Sequence, residues 1–215
     1  MSPGRNLTPN KGGRIMRHAL LLLTATLIMA LATTGTIATA GGVPARAATV
    51  ALSEPEAADL AFQREEEKLA LEVYQAMYAK WQAAIFSNIS DSEQRHTDIM
   101  KKMLDKHNLP DPALSVFGAF TDNGLQEKFD TLVEAGSRSL IGGLYVGATI
   151  EEIDMIDLQD AIDGTNHIDL LTAYQNLLEG SKNHLRSYVK DLEAQGVTYA
   201  PQYISKEFYD AIIEL

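Results

Sequence analysis

Glu93 and His96, in the run Ser92-Glu93-Gln94-Arg95-His96, stand three residues apart. On a helix this spacing sets a carboxylate and an imidazole on one face, where they can grip a single cation. Upstream lies Glu65-Glu66-Glu67, and two segments downstream offer further ligands. The first runs Thr149-Ile150-Glu151-Glu152-Ile153-Asp154-Met155-Ile156-Asp157, and the second is Ser181-Lys182-Asn183-His184. The chemistry common to these side chains is cation binding through oxygen and nitrogen. The chain has no cysteine, which excludes disulfides, thiolate metal sites and thiol redox chemistry, so a metal here must take N/O ligands.

The elements that position these residues read as helices almost throughout. Ser53 followed by Glu56 is a capping-box pattern, with Pro55 in the first turn. It opens a helix to about Trp81 whose apolar face includes Leu60, Leu71, Tyr74, Tyr78 and Trp81. A second helix spans about Ala84 to His107 and buries Ile85, Ile89, His96, Met100 and Met103, with Glu93 alongside. Asn108-Leu109-Pro110-Asp111-Pro112 stops it. Residues 108–124 read as a loop, followed by a brief helix from Leu125 to Ala135. A third long helix is expected from about Ser137 to Ile162, then a turn at Asp163-Gly164-Thr165 with Thr165 as N-cap. The fourth runs to about Ala194 and ends at Gly196, and an amphipathic piece from Ser205 to Leu215 completes the chain. The fold class is therefore all-α. Helices one and two form one hairpin and helices three and four another, and the long link between helices two and three carries the chain across the bundle.

On this frame each candidate has a functional and a plain reading. Glu67 falls on the stripe of Leu60, Leu71, Tyr74 and Tyr78, where an unpaired charge would cost several kcal/mol. Alternatively, all three acids decorate a solvated face near the helix N-terminus, where negative charge is favoured. His96 is either a ligand beside Glu93 or a core histidine, with Glu93 then exposed and paired to Arg95 or Lys101. Glu151 sits among Leu144, Ala148, Met155, Leu158 and Ile162, a buried stripe, with Asp154 and Asp157 beside it. Glu152 is its rival, because a one-residue error in phase exchanges the two. Four acids within seven residues repel one another unless a cation or an arginine compensates. His184 can point inward with Tyr174, Leu177 and Tyr188, or lie partly exposed near Arg186. His107 and His167 fall at helix ends and read as surface or capping residues. The combined set, with Glu67, Glu93, His96, an acid from Glu151, Glu152 or Asp154, and His184, suits one or two ions of iron or manganese.

Residues 1–17 are basic and carry no acid, and an apolar stretch of 14 residues follows from Ala19 to Ala32. That order is the pattern of a secretory signal, with small-x-small sites after Ala40 and after Ala47. The expectation is an exported protein, periplasmic or extracellular, with a leader over residues 1–47 and one domain over 48–215. The alternative is an N-terminal membrane anchor, although the strongly apolar part is short of the roughly 20 residues a span needs. Five of the 18 Lys/Arg and none of the 29 Asp/Glu lie in residues 1–47. Without them 13 basic and 29 acidic residues remain, a net charge of −16. Such a surface repels nucleic acid and anionic lipid and attracts cations. Metal ions are the expected partners, with no nucleic acid and no stable membrane insertion after leader removal. A homo-oligomer is compatible with the sequence.

At these residues the chain resembles the ferritin-like superfamily, and more closely an uncharacterised family of prokaryotic ferritin-like domains. The resemblance rests on REEEKLALEVY (64–74), SEQRH (92–96), GATIEEIDMIDL (147–158), GSKNHLRSY (180–188) and TYAPQYIS (198–205), and covers about Leu52 to Leu215. It implies a ferritin-like four-helix bundle with a long crossover between helices two and three and a short C-terminal helix. In ferritins the first-helix ligand is a Glu followed by Ala three on and Tyr seven on. Glu67, Ala70 and Tyr74 match that pattern, so the resemblance makes Glu67 the ligand, Glu93 the carboxylate able to bridge two metals, and His96 a terminal ligand. The chain departs from the pattern in its second half, where Ser181 stands three before His184 in place of a Glu. The missing carboxylate would have to come from Glu151, Glu152 or Asp154. The implied function is metal-centred redox chemistry of the oxidase, ferroxidase or peroxidase type. The alternative is a non-enzymatic helical interaction module, or a metal carrier with a vestigial site.

Overall fold

Local capping signals set where most of the helices begin. In the computed structural model residues 51–214 are described, and they form six α-helices with no strand among them. The leader expected over residues 1–47 lies outside the described residues. The first helix, α1 (Glu54–Trp81), starts on the expected capping box, with the Ser53 backbone N–H donating to the Glu56 carboxylate at 2.9 Å. α2 (Ala84–Lys106) follows with no side-chain cap. Asp122 caps α3 (Asn123–Gly136), Ser139 caps α4 (Leu140–Gly164) and Ser205 caps α6 (Lys206–Ile213). α5 (Ile168–Ala194) begins at His167 without a side-chain cap. Thr165, expected to cap it, instead closes α4. Its hydroxyl donates to Glu56 at 2.7 Å and accepts from the His167 N–H at 3.1 Å, so it ties the α4–α5 turn to the start of α1.

α1 pairs with α2 and α4 with α5, while α1–α4 and α2–α5 contacts join the two pairs around one core. α3 packs on α1 and α4, and Trp81 Nε1 donates to the Gly136 carbonyl at 3.0 Å, fastening the end of α1 to the end of α3. The core is apolar at both ends. Met77, Phe86, Leu144 and Tyr188 fill one end, and Leu60, Leu104, Leu158 and Leu170 fill the other. Between these layers lies a polar one, in which Gln63, Glu66, Glu67, Glu93, His96, Glu151, Asp154, Ser181 and His184 are all buried. No helix among the described residues is long and apolar enough to cross a membrane.

The three consecutive acids of α1 face three different neighbours, as the helical turn of about 100° per residue requires. Glu65 accepts from the backbone N–H groups of Thr121 and Asp122 at 2.6 and 3.0 Å, anchoring the loop ahead of α3. Glu72 holds the same loop by accepting from the Gly118 N–H at 2.7 Å, and within α1 it also accepts from Lys68 Nζ at 2.8 Å. Glu66 turns towards Lys128 of α3, and Glu67 turns inward.

Candidate metal centre

Four helices deliver five of the expected side chains to one place. His96 Nδ1 lies 3.3 Å from Glu67 Oε2 and 3.0 Å from Glu93 Oε2. His184 Nδ1 lies 2.7 Å from Glu93 Oε1 and 3.4 Å from Glu151 Oε2. Glu93 is thus common to two groups, Glu67–Glu93–His96 and Glu93–Glu151–His184, each with its donor atoms close enough together to hold one metal ion. The imidazoles stack with centroids 5.4 Å apart, so the groups sit side by side.

All five side chains are buried, at 7% exposure or less. Buried polar atoms normally find hydrogen-bond partners. Here Glu67 Oε1, Glu93 Oε1, His96 Nδ1 and His184 Nδ1 lie close to one another and to the neighbouring carboxylates without a well-directed hydrogen bond. Without a cation, charge balance falls to protons. Burial alone would lower the His96 imidazolium, but Glu67 and Glu93 push it up to about 11. His184 is likewise lifted to about 10 against its burial by Glu151 and Glu93. Burial raises Glu151, as does the neighbouring Glu93 charge. The donor set and its atoms without well-directed hydrogen bonds fit a divalent cation, whose charge would replace those protons.

Supporting residues refine the geometry. The Tyr74 hydroxyl donates to Glu151 Oε1 at 2.6 Å and leaves Oε2 towards His184. The Tyr74 and Tyr188 rings lie 5.4 Å apart, beside the same carboxylate. Tyr78 does not share this surrounding, being 38% exposed. Gly180 lets His96 approach α5, since a Cβ there would fall 2.6 Å from His96 Cε1 and Nε2. Gly147 does the same for Tyr188, whose ring would stand 2.3 Å from an added Cβ. Neither glycine is marked by the sequence alone, because the contact it permits lies on another helix.

The remaining candidates lie elsewhere. Glu152 faces away from the histidines. It accepts from the Tyr199 hydroxyl at 2.7 Å and from the Gln202, Tyr203 and Ile204 N–H groups at 2.9, 2.6 and 3.1 Å. These bonds make it the anchor of the C-terminal segment, and the α4 acid that faces His184 is Glu151. Asp154 is buried one turn beyond Glu151 and accepts from Ser181 Oγ at 2.5 Å. Ser181 thus meets a carboxylate from α4. His107 pairs with Asp169 at 2.8 Å, and His167 precedes α5.

Residues 56–215 match the family described as an uncharacterized protein domain, DUF2202. The chain is similar to the uncharacterized protein MJ0754 of Methanocaldococcus jannaschii, with 46% identity over 163 residues, 75% of this chain and 88% of that protein. Among solved structures it is similar to the crystal structure of hypothetical protein MJ0754 from Methanococcus jannaschii. The TM-score is 0.76 at 43% identity, covering 81% of this chain and 98% of that one.

Proposed function

The chain belongs to the DUF2202 family of uncharacterized protein domains, and on the geometry of its core we propose that it is a metal-binding protein with a dinuclear iron or manganese centre. The observation that carries this reading is the sharing of Glu93 by two buried Glu/His groups. Glu67 and His96 serve one position, and Glu151 and His184 the other, with Glu93 between them. A site of three carboxylates and two imidazoles, without sulfur, favours iron or manganese over softer metals.

The metal would supply one-electron redox chemistry towards Fe(II), dioxygen or peroxide, placing the protein among oxidases, ferroxidases or peroxidases. The chain's contribution is positioning. Tyr74 fixes Glu151 by its hydrogen bond, α5 holds His184, and the apolar layers on either side limit water. The helix pairing and the link through α3 support a ferritin-like bundle with a crossover. Residues 48–215 form its domain, behind a leader that directs export.

Anaerobic titration of the metal-free protein with Fe(II), followed by admission of oxygen, tests the proposal. Saturable binding with oxygen consumption is the expected result. Binding without consumption would reduce the protein to a carrier, and absence of binding would remove the metal reading.

A further inference from the structure

Glu151, Asp154 and Asp157 recur at every third residue of α4, climbing one side of the helix by about 4.5 Å per step. Only Glu151 belongs to the two Glu/His groups. Burial falls along the series: Glu151 is 2% exposed, Asp154 is 5%, and Asp157 is half-buried. α1 meets this ladder with Glu66, itself buried. The Asp157 carboxyl faces that of Glu66. Lys128 of α3 stands beside them with its ammonium 3.7 Å from Glu66 Oε1 and its side chain 41% exposed.

A plain ion pair would leave this cluster satisfied, and it is not. Glu66 Oε2 and Asp154 Oδ1 are both buried without a hydrogen-bond partner. Ser181 occupies the other Asp154 oxygen, and the charges acting on Asp154 are Glu67, Glu66 and Glu151. Asp154 therefore stands between the outer acids and the inner centre. One exposed lysine at 3.7 Å is a weak counter-charge for so many carboxylates.

We propose that Asp157, Glu66 and Asp154 form a carboxylate route by which a divalent cation passes from the surface beside Lys128 to the inner centre. The route rests on the metal-centre reading. Its donors are oxygen only, suited to a hard divalent ion. Among the described residues, the two inner groups are the ones whose three donors already converge, so the outer acids hold a cation loosely. Passage requires binding that favours entry yet permits release. Lys128 occupies the mouth until an incoming cation displaces it.

Stopped-flow absorbance of Co(II) uptake by the full-length metal-free chain, with end-point stoichiometry measured separately, tests the route. Glu66→Gln should slow uptake by about tenfold or more while reaching the wild-type end point, and Lys128→Gln should speed it. Uptake by Glu66→Gln at the wild-type rate would overturn the route, and so would a lowered end point, which would make Glu66 a ligand of the resting centre. Should Glu66→Gln fail to fold, Asp157→Asn gives the same reading at a half-buried position, with slowed uptake expected and an unchanged rate contradicting. Wild-type chain that takes up no Co(II) would overturn the metal centre and the route together. Normal uptake that is insensitive to these variants defeats the route alone.

Discussion

Glu93 Oε1 lies 2.7 Å from His184 Nδ1, joining α2 to α5 across the core. The other oxygen of the same carboxylate lies 3.0 Å from His96 Nδ1, so one side chain serves both histidines. This sharing divides the centre into two halves that separate variants can address.

His184→Ala should leave the Glu67–Glu93–His96 half able to bind and lower the bound metal to about one ion per chain, as the two-group geometry predicts. His96→Ala should do the reverse. Metal analysis of each purified variant checks this, and loss of all metal in both would mean that the halves are not separable.

Gly180→Ala should weaken metal binding without unfolding the protein. Replacing a helix-interior glycine by alanine contributes about 1 kcal/mol to helix stability, yet the new Cβ would press on His96 at 2.6 Å. Calorimetric titration with Mn(II) should show reduced affinity beside an intact helical circular dichroism spectrum. Wild-type affinity would show that the imidazole moves freely aside.

Glu152→Gln should spare the metal and loosen the C-terminal segment. The amide would replace a carboxylate oxygen that accepts from backbone N–H groups at Gln202, Tyr203 and Ile204, a loss of about 3 kcal/mol. Urea unfolding measures that loss, and hydrogen exchange should rise at those three amides. A fall in metal content with unchanged stability would instead return Glu152 to the ligand set.

Acid stability should depend on Asp169. Burial alone would raise this carboxyl, but hydrogen bonds from Lys106 and His107 outweigh it and bring it down to about 2, from an ordinary value of 3.8. A pKa depressed in the folded chain contributes stability above the unfolded value, and that contribution is lost as pH falls from about 4 towards 2. Asp169→Asn should therefore be less stable than wild type near neutrality, with the difference closing below about pH 3. A difference that persists unchanged to pH 2 would contradict the pairing.

Helix periodicity and capping chemistry made the long helices legible in the sequence. α1 ends at Trp81 and α5 at Ala194, as the apolar stripes and Gly196 require. Thr165 misled because Ser/Thr before a helix reads as an N-cap, whereas its hydroxyl is drawn to Glu56 on α1. Glu151 and Glu152 could not be separated by periodicity, since both are buried, at 2% and 0% exposure. They differ in what each meets: histidine for one, and the N–H groups of residues 202–204 for the other. Glu65, Glu66 and Glu67 posed the same difficulty, because a loop, a lysine on α3 and a histidine on α2 claim one each. Gly147 and Gly180 matter only through the rings that pack on them.

Elemental analysis of the untagged protein, after aerobic loading with Fe(II) or Mn(II), tests the central claim most directly. The shared position of Glu93 predicts about two ions per chain, both lost in Glu93→Ala. A folded, helical protein that retains no metal, or a Glu93→Ala variant that keeps its full complement, would contradict the account.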